Sequence, residues 1–361
     1  MNNNSKIVLG TVFMLLMIGI VMIYSSSAVY AYSQTGDSMY FVKRHIACLA
    51  VGLIAAIACM SIPVKAIAKN AKWAMLFIIV LLILVLIPGI GFQAGGARRW
   101  IRFLGIGIQP SELAKFVMVL YLADLTSRKK YLMKNFKYGI LVPMVIIGIT
   151  SVLVLAEPDM GTSVAILVAG VVMLFISGVK LKHLSYIAIS AIPVIAAAIL
   201  MEPYRIRRIL AFVNPWNDAK GAGFQLVQSF IALGSGGFWG AGLGMSRQKL
   251  FYLPASHTDF IFSIIGEELG FLGTFGVLAL FALFLWFSLR ICFKLHDTFA
   301  SRAIMGISVI IAFEVIVNIG VSTGMLPTKG LPLPFISYGG SSLISHLAAC
   351  GLILNLAREV E

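Results

Sequence analysis

Charged side chains are scarce in this sequence. Asp, Glu, Lys and Arg make up 12% of its 361 residues, against roughly 25% in ordinary soluble domains. Hydrophobic residues make up 60% and the mean hydropathy is +0.98. Too little polar surface remains to cover a soluble fold, so lipid must face part of the chain. Acids are scarcer than bases, 14 against 28, for a net charge of +14. No basic face or nucleic-acid reading motif accompanies that excess, so no nucleic-acid partner is expected. In a membrane protein the excess first sets orientation, because Lys and Arg stay on the cytoplasmic side. Anionic headgroups are a second partner for it. Cysteine and histidine are also rare, at four and five. Cys48, Cys59, Cys292 and Cys350 lie in or beside apolar runs without metal-type spacing and read as small core residues, not disulfide partners.

Long apolar runs dominate the rest. They suggest spans near 7–29, 45–62, 73–91, 110–125, 139–156, 161–178, 182–200, 260–289, 303–325 and 338–357, each close to the ~20 residues a bilayer requires. The expected fold is all-α: a polytopic membrane protein of about ten transmembrane helices, one domain over 1–361. The first run, after Lys6, resembles a signal peptide but is long for a cleaved one and reads as an uncleaved span. Basic residues cluster after spans two (Lys65, Lys69, Lys72), four (Arg128, Lys129, Lys130, Lys134, Lys137), six (Lys180, Lys182) and eight (Arg290, Lys294, Arg302). Those connections are then cytoplasmic, as are both termini. The connection after span seven, 201–259, is a long outward loop expected to be ordered, with a short helix over 224–231.

Five stretches on the outward side carry polar residues among glycine and proline. The first holds Arg98, Arg99, Trp100 and Arg102, followed by Gln109-Pro110-Ser111-Glu112-Leu113-Ala114-Lys115. Guanidinium forks suit phosphate oxygens. Interface anchoring by Arg and Trp, with an intrahelical Glu112–Lys115 pair, fits the same residues. The second is Glu157-Pro158-Asp159-Met160-Gly161-Thr162, where Asp159 is either a site carboxylate or a helix cap. The third is Tyr204-Arg205-Ile206-Arg207-Arg208, which suits an anionic headgroup or a surface anchor equally. The fourth is Leu253-Pro254-Ala255-Ser256-His257-Thr258-Asp259-Phe260, with Glu267 and Glu268 about two turns further on. Asp259 abuts an apolar helix, where desolvation would raise its pKa toward the range of a general base, with His257 and Thr258 placed to orient it. Capping of span eight by Thr258 or Asp259 is the plainer alternative. Glu267 and Glu268 are functional suspects at that depth, or partners for the arginines. The fifth runs over 323–342, with three prolines, Lys329 and Ser337. It cannot be continuous helix, and irregular backbone at that depth is tolerated where it lines a cavity or is buried in protein. Glu314 and Asn318, four apart within span nine, read as interhelical glue more than as catalysts. Carboxylates, arginines and a lysine around one presumed outer cavity suit an anionic lipid-linked substrate.

The combination GARRWI, QPSELAK, PDMGT, HTDFIF, EELG and LPFISYGGSS resembles the SEDS family, the FtsW, RodA and SpoVE proteins. The resemblance covers nearly the whole chain, and the long loop is nearer FtsW and SpoVE than RodA. It implies a peptidoglycan glycosyltransferase that polymerises lipid II, a disaccharide-pentapeptide on undecaprenyl pyrophosphate, at the outer membrane face with inversion at the anomeric carbon. It places the family's essential aspartate on Asp259. Arg98, Arg99, Trp100, Arg102, Glu112, Lys115, Asp159, His257, Thr258, Lys329 and Ser337 are then the expected substrate-binding residues, and a divalent cation (Mg or Mn) on the pyrophosphate is the one cofactor to consider. The expected partners are a class B penicillin-binding protein transpeptidase and other divisome membrane proteins, at the division septum. One departure stands out: Ala255 occupies a position where many relatives carry Glu. The rival function is a lipid II flippase, favoured by intramembrane charge and broken helices and disfavoured because the polar groups gather on one face. A pure scaffold leaves Asp259 and the buried acids without a role.

Overall fold

The computed structural model describes residues 2–94, 97–103, 106–129, 131, 133–186, 189, 193, 200 and 203–360. Nearly all the regular structure is helical: α1 (Asn3–Thr35), α2 (Tyr40–Ser61), α3 (Val64–Leu86), α4 (Pro110–Arg128), α5 (Val142–Ala156), α6 (Met160–Ile176), α7 (Pro203–Val213), α8 (Phe224–Gly236), α9 (Ile261–Lys294), α10 (Thr298–Ser322) and α11 (Gly340–Leu356). Backbone groups in hydrocarbon must find partners within their own segment, which favours this answer. Among the described residues six helices are long and apolar enough to cross a membrane: α1, α2, α3, α5 with the turn before it, α9 and α10. The shorter apolar helices α6 and α11 accompany them. Helix α4 has span length, but Glu112, Lys115, Asp124 and Arg128 interrupt its hydropathy. This is an integral membrane protein. The expected span over 182–200 falls largely outside the described residues.

One element departs from the helical expectation. Residues 92–108 form a three-stranded antiparallel sheet of β1 (Phe92–Ala94), β2 (Ala97–Phe103) and β3 (Ile106–Ile108), in that order. Phe92 pairs with Trp100 and Gln93 with Arg98 across an irregularity in the register, so Trp100 and Arg98 leave β2 on opposite faces. The outward connection that carries the arginines is thus a small sheet and not an irregular loop.

Helix α10 is the most enclosed of the long helices. Asp297 starts it by accepting from the Phe299 and Ala300 amides at 3.2 and 3.1 Å, a cap worth about 1 kcal/mol. Around it pack α4, α6, α9 and α11, while α2 lies on α11 and α1 on α9. Helix α9 breaks at Gly270, whose φ of 65° and ψ of −160° lie outside the helical region. A Cβ there would meet the Gly240 nitrogen at 2.3 Å. The loop after α8 enters this gap. The Ala241 and Gly242 amides donate to the Glu267 and Glu268 carbonyls at 2.9 and 3.0 Å, and Phe271 N–H donates to the Gly237 carbonyl at 2.9 Å. The break therefore exchanges helix bonds for loop bonds and ties the 201–259 connection to α9. The helix expected over 224–231 is longer than its sequence signal and runs to Gly236.

Candidate active site

The starts of α4, α6, α9 and α11, the end of α10 and the small sheet meet at one end of the bundle. Asp259 sits there, half-buried, just ahead of α9. It does not cap that helix: Phe260 holds the cap position without a side-chain bond. The carboxylate is thus free for other work. Burial pushes its pKa up to about 6, with Arg208 and Arg99 opposing and Asp159 adding to the rise. Ala255, at the position where a Glu was expected, adopts φ 58°. Its carbonyl receives the Thr258 and Phe260 amides at 3.1 and 3.3 Å, closing the turn that presents Asp259.

His257 and Thr258 frame this turn without reaching the Asp259 carboxylate. The His257 ring packs against Tyr30, Phe41 and Tyr338, with centroids 5.8, 4.7 and 5.8 Å away. Burial lowers its pKa to about 4, so it is a neutral ring in an aromatic cluster. The Thr258 hydroxyl donates to the Ala255 carbonyl. The Ser337 hydroxyl donates to the Thr258 carbonyl at 2.6 Å and accepts from Leu333 N–H at 2.8 Å, which commits it to the backbone.

The 157–162 turn closes a second side. Arg99 Nε donates to the Glu157 carbonyl at 2.9 Å, and a terminal nitrogen donates to the Pro158 carbonyl at 2.6 Å. Asp159 caps α6, accepting from Thr162 N–H at 3.1 Å and the Thr162 hydroxyl at 2.9 Å. It also accepts from Gln109 Nε2 at 3.2 Å. The capping alternative therefore describes Asp159, whose charge still reaches Asp259. Glu157 is not among the expected site residues, yet its side chain is fully buried, and among the described residues only the Ser111 hydroxyl acts on its carboxylate, without a well-formed hydrogen bond. Burial pushes it up to about 8; the Ser111 hydroxyl opposes this, the Asp159 charge adds to it, and Arg99 opposes it. The unfolded side chain ionises near 4.5, so between those values the fold carries a proton that the unfolded chain has released. Stability must then fall as pH rises through that window. Glu157→Gln removes the effect. The variant is expected to match wild type in melting temperature near pH 4.5 and to exceed it at pH 8, by on the order of a few kcal/mol. Melting curves in detergent across that range check this, and a gap independent of pH contradicts it.

Of the remaining cations, Arg102 lies over the Phe92 ring, 3.4 Å from its centroid, and is exposed. Arg98 and Trp100 are half-buried on the same strand. Lys329 is half-buried, and burial holds its ammonium below the usual lysine range. Arg208 was absent from the expected site. It comes from α7, donates to the Thr328 carbonyl at 2.9 Å, and is the largest charge acting on Asp259. Its signal was the cationic run 205–208, which sequence spacing alone could not connect to Asp259.

Two expectations are corrected. Lys115 and Glu112 do not open onto this site. Lys115 is fully enclosed, its ammonium paired with Glu112 at 2.9 Å and with Glu314, and Glu314 also meets the buried His346. Every charge in that cluster is taken by a neighbour. Glu267 and Glu268 do not pair with the arginines of the sheet either. Glu267 accepts from the Ser246 hydroxyl and from Arg247 N–H at 2.8 Å. Glu268 accepts from Lys249 at 2.9 Å and from the Ser25 hydroxyl at 2.6 Å. They fasten the long loop to α9. Among the described residues no three His, Cys, Asp or Glu side chains gather as metal ligands.

The fold and this site define an integral membrane protein that presents the Asp259 carboxylate, desolvated and acted on by arginines, at one end of its helices. The profile of the FtsW/RodA/SpoVE family, described as "Cell cycle protein", matches residues 6–361, and the chain belongs to that family. It is 42% identical over 355 residues to a protein of Geobacter sp. (strain M18) named "Probable peptidoglycan glycosyltransferase FtsW", covering 98% of this chain and 97% of that one. It is 41% identical over 345 residues to the stage V sporulation protein E of Bacillus subtilis (strain 168), covering 96% and 94%. Among solved structures it is similar, at TM-score 0.80 and 28% identity, to a chain of a peptidoglycan synthase complex described as coordinating polymerization and crosslinking, covering 98% of this chain and 97% of that one. It is also similar to the rod shape determining protein RodA of Thermus thermophilus, at TM-score 0.70 and 25% identity over 97% and 95%.

Proposed function

We propose that this chain is a peptidoglycan glycosyltransferase that polymerises lipid II, with Asp259 as its general base. The observation that carries this reading is the Asp259 carboxyl, pushed up to about 6 by burial and flanked by Arg208 and Arg99. The names of its relatives supply the reaction class. The sugar 4-hydroxyl oxygen attacks the anomeric carbon of a lipid-linked glycan, the bond from that carbon to the pyrophosphate oxygen breaks, and the α linkage becomes β. The hydroxyl proton passes to Asp259. With a pKa near 6 the carboxylate is about nine-tenths ionised at pH 7, yet still basic enough to take a proton as the new bond forms, which contributes roughly 10²–10⁴-fold. The departing pyrophosphate needs cations. Arg208 and Arg99 are the cations whose charge acts on the Asp259 carboxyl, and Arg98, Arg102 and Lys329 are the further candidates. A divalent cation would take its ligands from the pyrophosphate itself, since no cluster of protein donors stands ready among the described residues, and would neutralise charge on the leaving group.

The positive-inside pattern puts this end of the bundle outside the cell membrane and both termini in the cytoplasm, in a multi-pass chain. Similarity to a complex that couples polymerization with crosslinking supports a class B penicillin-binding protein as partner. The relatives' names support work with other divisome proteins at the septum.

A flippase reading would use the same broken helices. The two separate in detergent, where no membrane sidedness exists. Purified chain with its partner transpeptidase and lipid II is expected to yield glycan polymer on a gel. No polymer beside a demonstrably active partner would overturn the enzymatic reading.

A further inference from the structure

The turn that presents Asp259 is held by its carbonyls. Tyr338 N–H donates to the His257 carbonyl at 2.9 Å. The Ser337 hydroxyl takes the Thr258 carbonyl at 2.6 Å. Asn318 Nδ2 takes the Asp259 carbonyl at 2.9 Å. Three consecutive carbonyls are thus secured by residues 318–338, whereas among the described residues no hydrogen bond holds the Asp259 carboxylate oxygens themselves.

Asn318 differs from the other two. It lies in α10, almost fully buried, and its amide nitrogen makes a second bond, to the Leu331 carbonyl at 2.8 Å. Two N–H groups meet two carbonyls, which fixes the orientation of the amide. Its own oxygen is buried with no partner among the described residues. Burying an unsatisfied acceptor is unfavourable, so this side chain is of use here for its donors. The bridge also sets a distance. Leu331 follows Gly330, where an added Cβ would come within 3.0 Å of Asp259 Oδ2. Bare backbone therefore lines one side of the carboxylate, and Asn318 holds that wall and the Asp259 main chain together.

We propose that Asn318 is a positioning residue for Asp259, fixing where the base oxygen stands relative to the sugar hydroxyl. The inference rests on Asp259 being the base. Base and hydroxyl must lie within about 2.6–3.2 Å, and a misplacement of about 1 Å can cost on the order of 10²-fold in rate. Neither Asn318 bond goes to an arginine of the site, so lipid binding is left intact when they are lost.

The test is steady-state polymerisation by the purified chain with its partner transpeptidase, beside melting curves in the same detergent. Two variants are used: Asn318→Asp, which keeps the shape but turns a carboxylate on both carbonyls, and Asn318→Ser, a small neutral side chain that cannot bridge both. Asn318→Gln retains the amide donors and is the rescue. Asn318→Ser is expected to lower kcat roughly 10- to 100-fold, with KM for lipid II within about twofold, and to lower the melting temperature because two buried carbonyls lose their donor, the protein remaining folded at the assay temperature. Asn318→Gln is expected to recover part of kcat. A loss of kcat that tracks the unfolded fraction at the assay temperature in both Ser and Asp variants, or an unchanged kcat in Asn318→Ser, overturns the proposal. Asp259→Asn in the same assay separates the two readings. Wild-type kcat there overturns the base role and the positioning role with it. An inactive Asp259→Asn beside an unimpaired Asn318→Ser overturns the positioning role alone.

Discussion

Lys115→Met is expected to cost about 3–5 kcal/mol of stability, a large share of the roughly 5–15 kcal/mol that holds a typical domain folded. The reason is electrostatic. Lys115 is enclosed between Glu112 and Glu314, and removing its ammonium leaves two carboxylates facing one another away from water. Breaking a buried ion pair by deleting one partner is far worse than replacing the whole set with neutral groups. Adding Glu112→Gln and Glu314→Gln to Lys115→Met is therefore expected to recover much of the loss. His346, left beside a neutral amide at 314, then keeps a hydrogen-bond acceptor. Melting temperature and yield of monodisperse protein in detergent measure both steps. Should Lys115→Met melt like wild type while raising KM for lipid II, the ammonium faces substrate after all and the cluster is misassigned.

That cluster shows how far the sequence could be read. The i, i+3 spacing of Glu112 and Lys115 announced an intrahelical pair, but nothing in it said that Glu314, some 199 residues further on, would take the other side of the ammonium. Six of the expected spans were legible because hydropathy over about 20 residues is a strong, local signal. The sheet over 92–108 was not. Its strands are three to seven residues long, and a register irregularity beside Arg98 breaks the period of two that would have announced a strand. Asp259 was legible for a different reason: an acid bordering an apolar helix is conspicuous, and the HTDFIF string is specific. Its surroundings were not. Arg208 arrives from another helix, Asn318 reaches it across the bundle, and Glu157 is distinguished from an ordinary turn residue only by its burial. Contacts of long sequence separation leave no periodicity to read.

Asp259→Asn should lower polymerisation by roughly 10²–10⁴-fold. The amide preserves size and the backbone clamp through the 257–259 carbonyls, and Asp259 does not cap α9, so folding should be kept. It removes the acceptor for the hydroxyl proton and a negative charge near Arg208 and Arg99. Lipid II binding should hold or tighten slightly, since those cations lose a competing carboxylate. The loss therefore belongs in kcat, not in KM, the signature of an interaction made in the transition state.

The pH dependence of that rate is the most direct test. Purified chain with its partner is assayed from pH 5 to 8 at saturating and at limiting lipid II, wild type beside Asp259→Asn. The wild-type rate is expected to rise with pH and to level off above about 6, because the base works only once its proton is gone and burial sets that point near 6. The residual rate of the variant should lack this limb. A wild-type profile flat down to pH 5, or an Asp259→Asn profile that follows wild type in height and shape, would contradict a general-base role for Asp259.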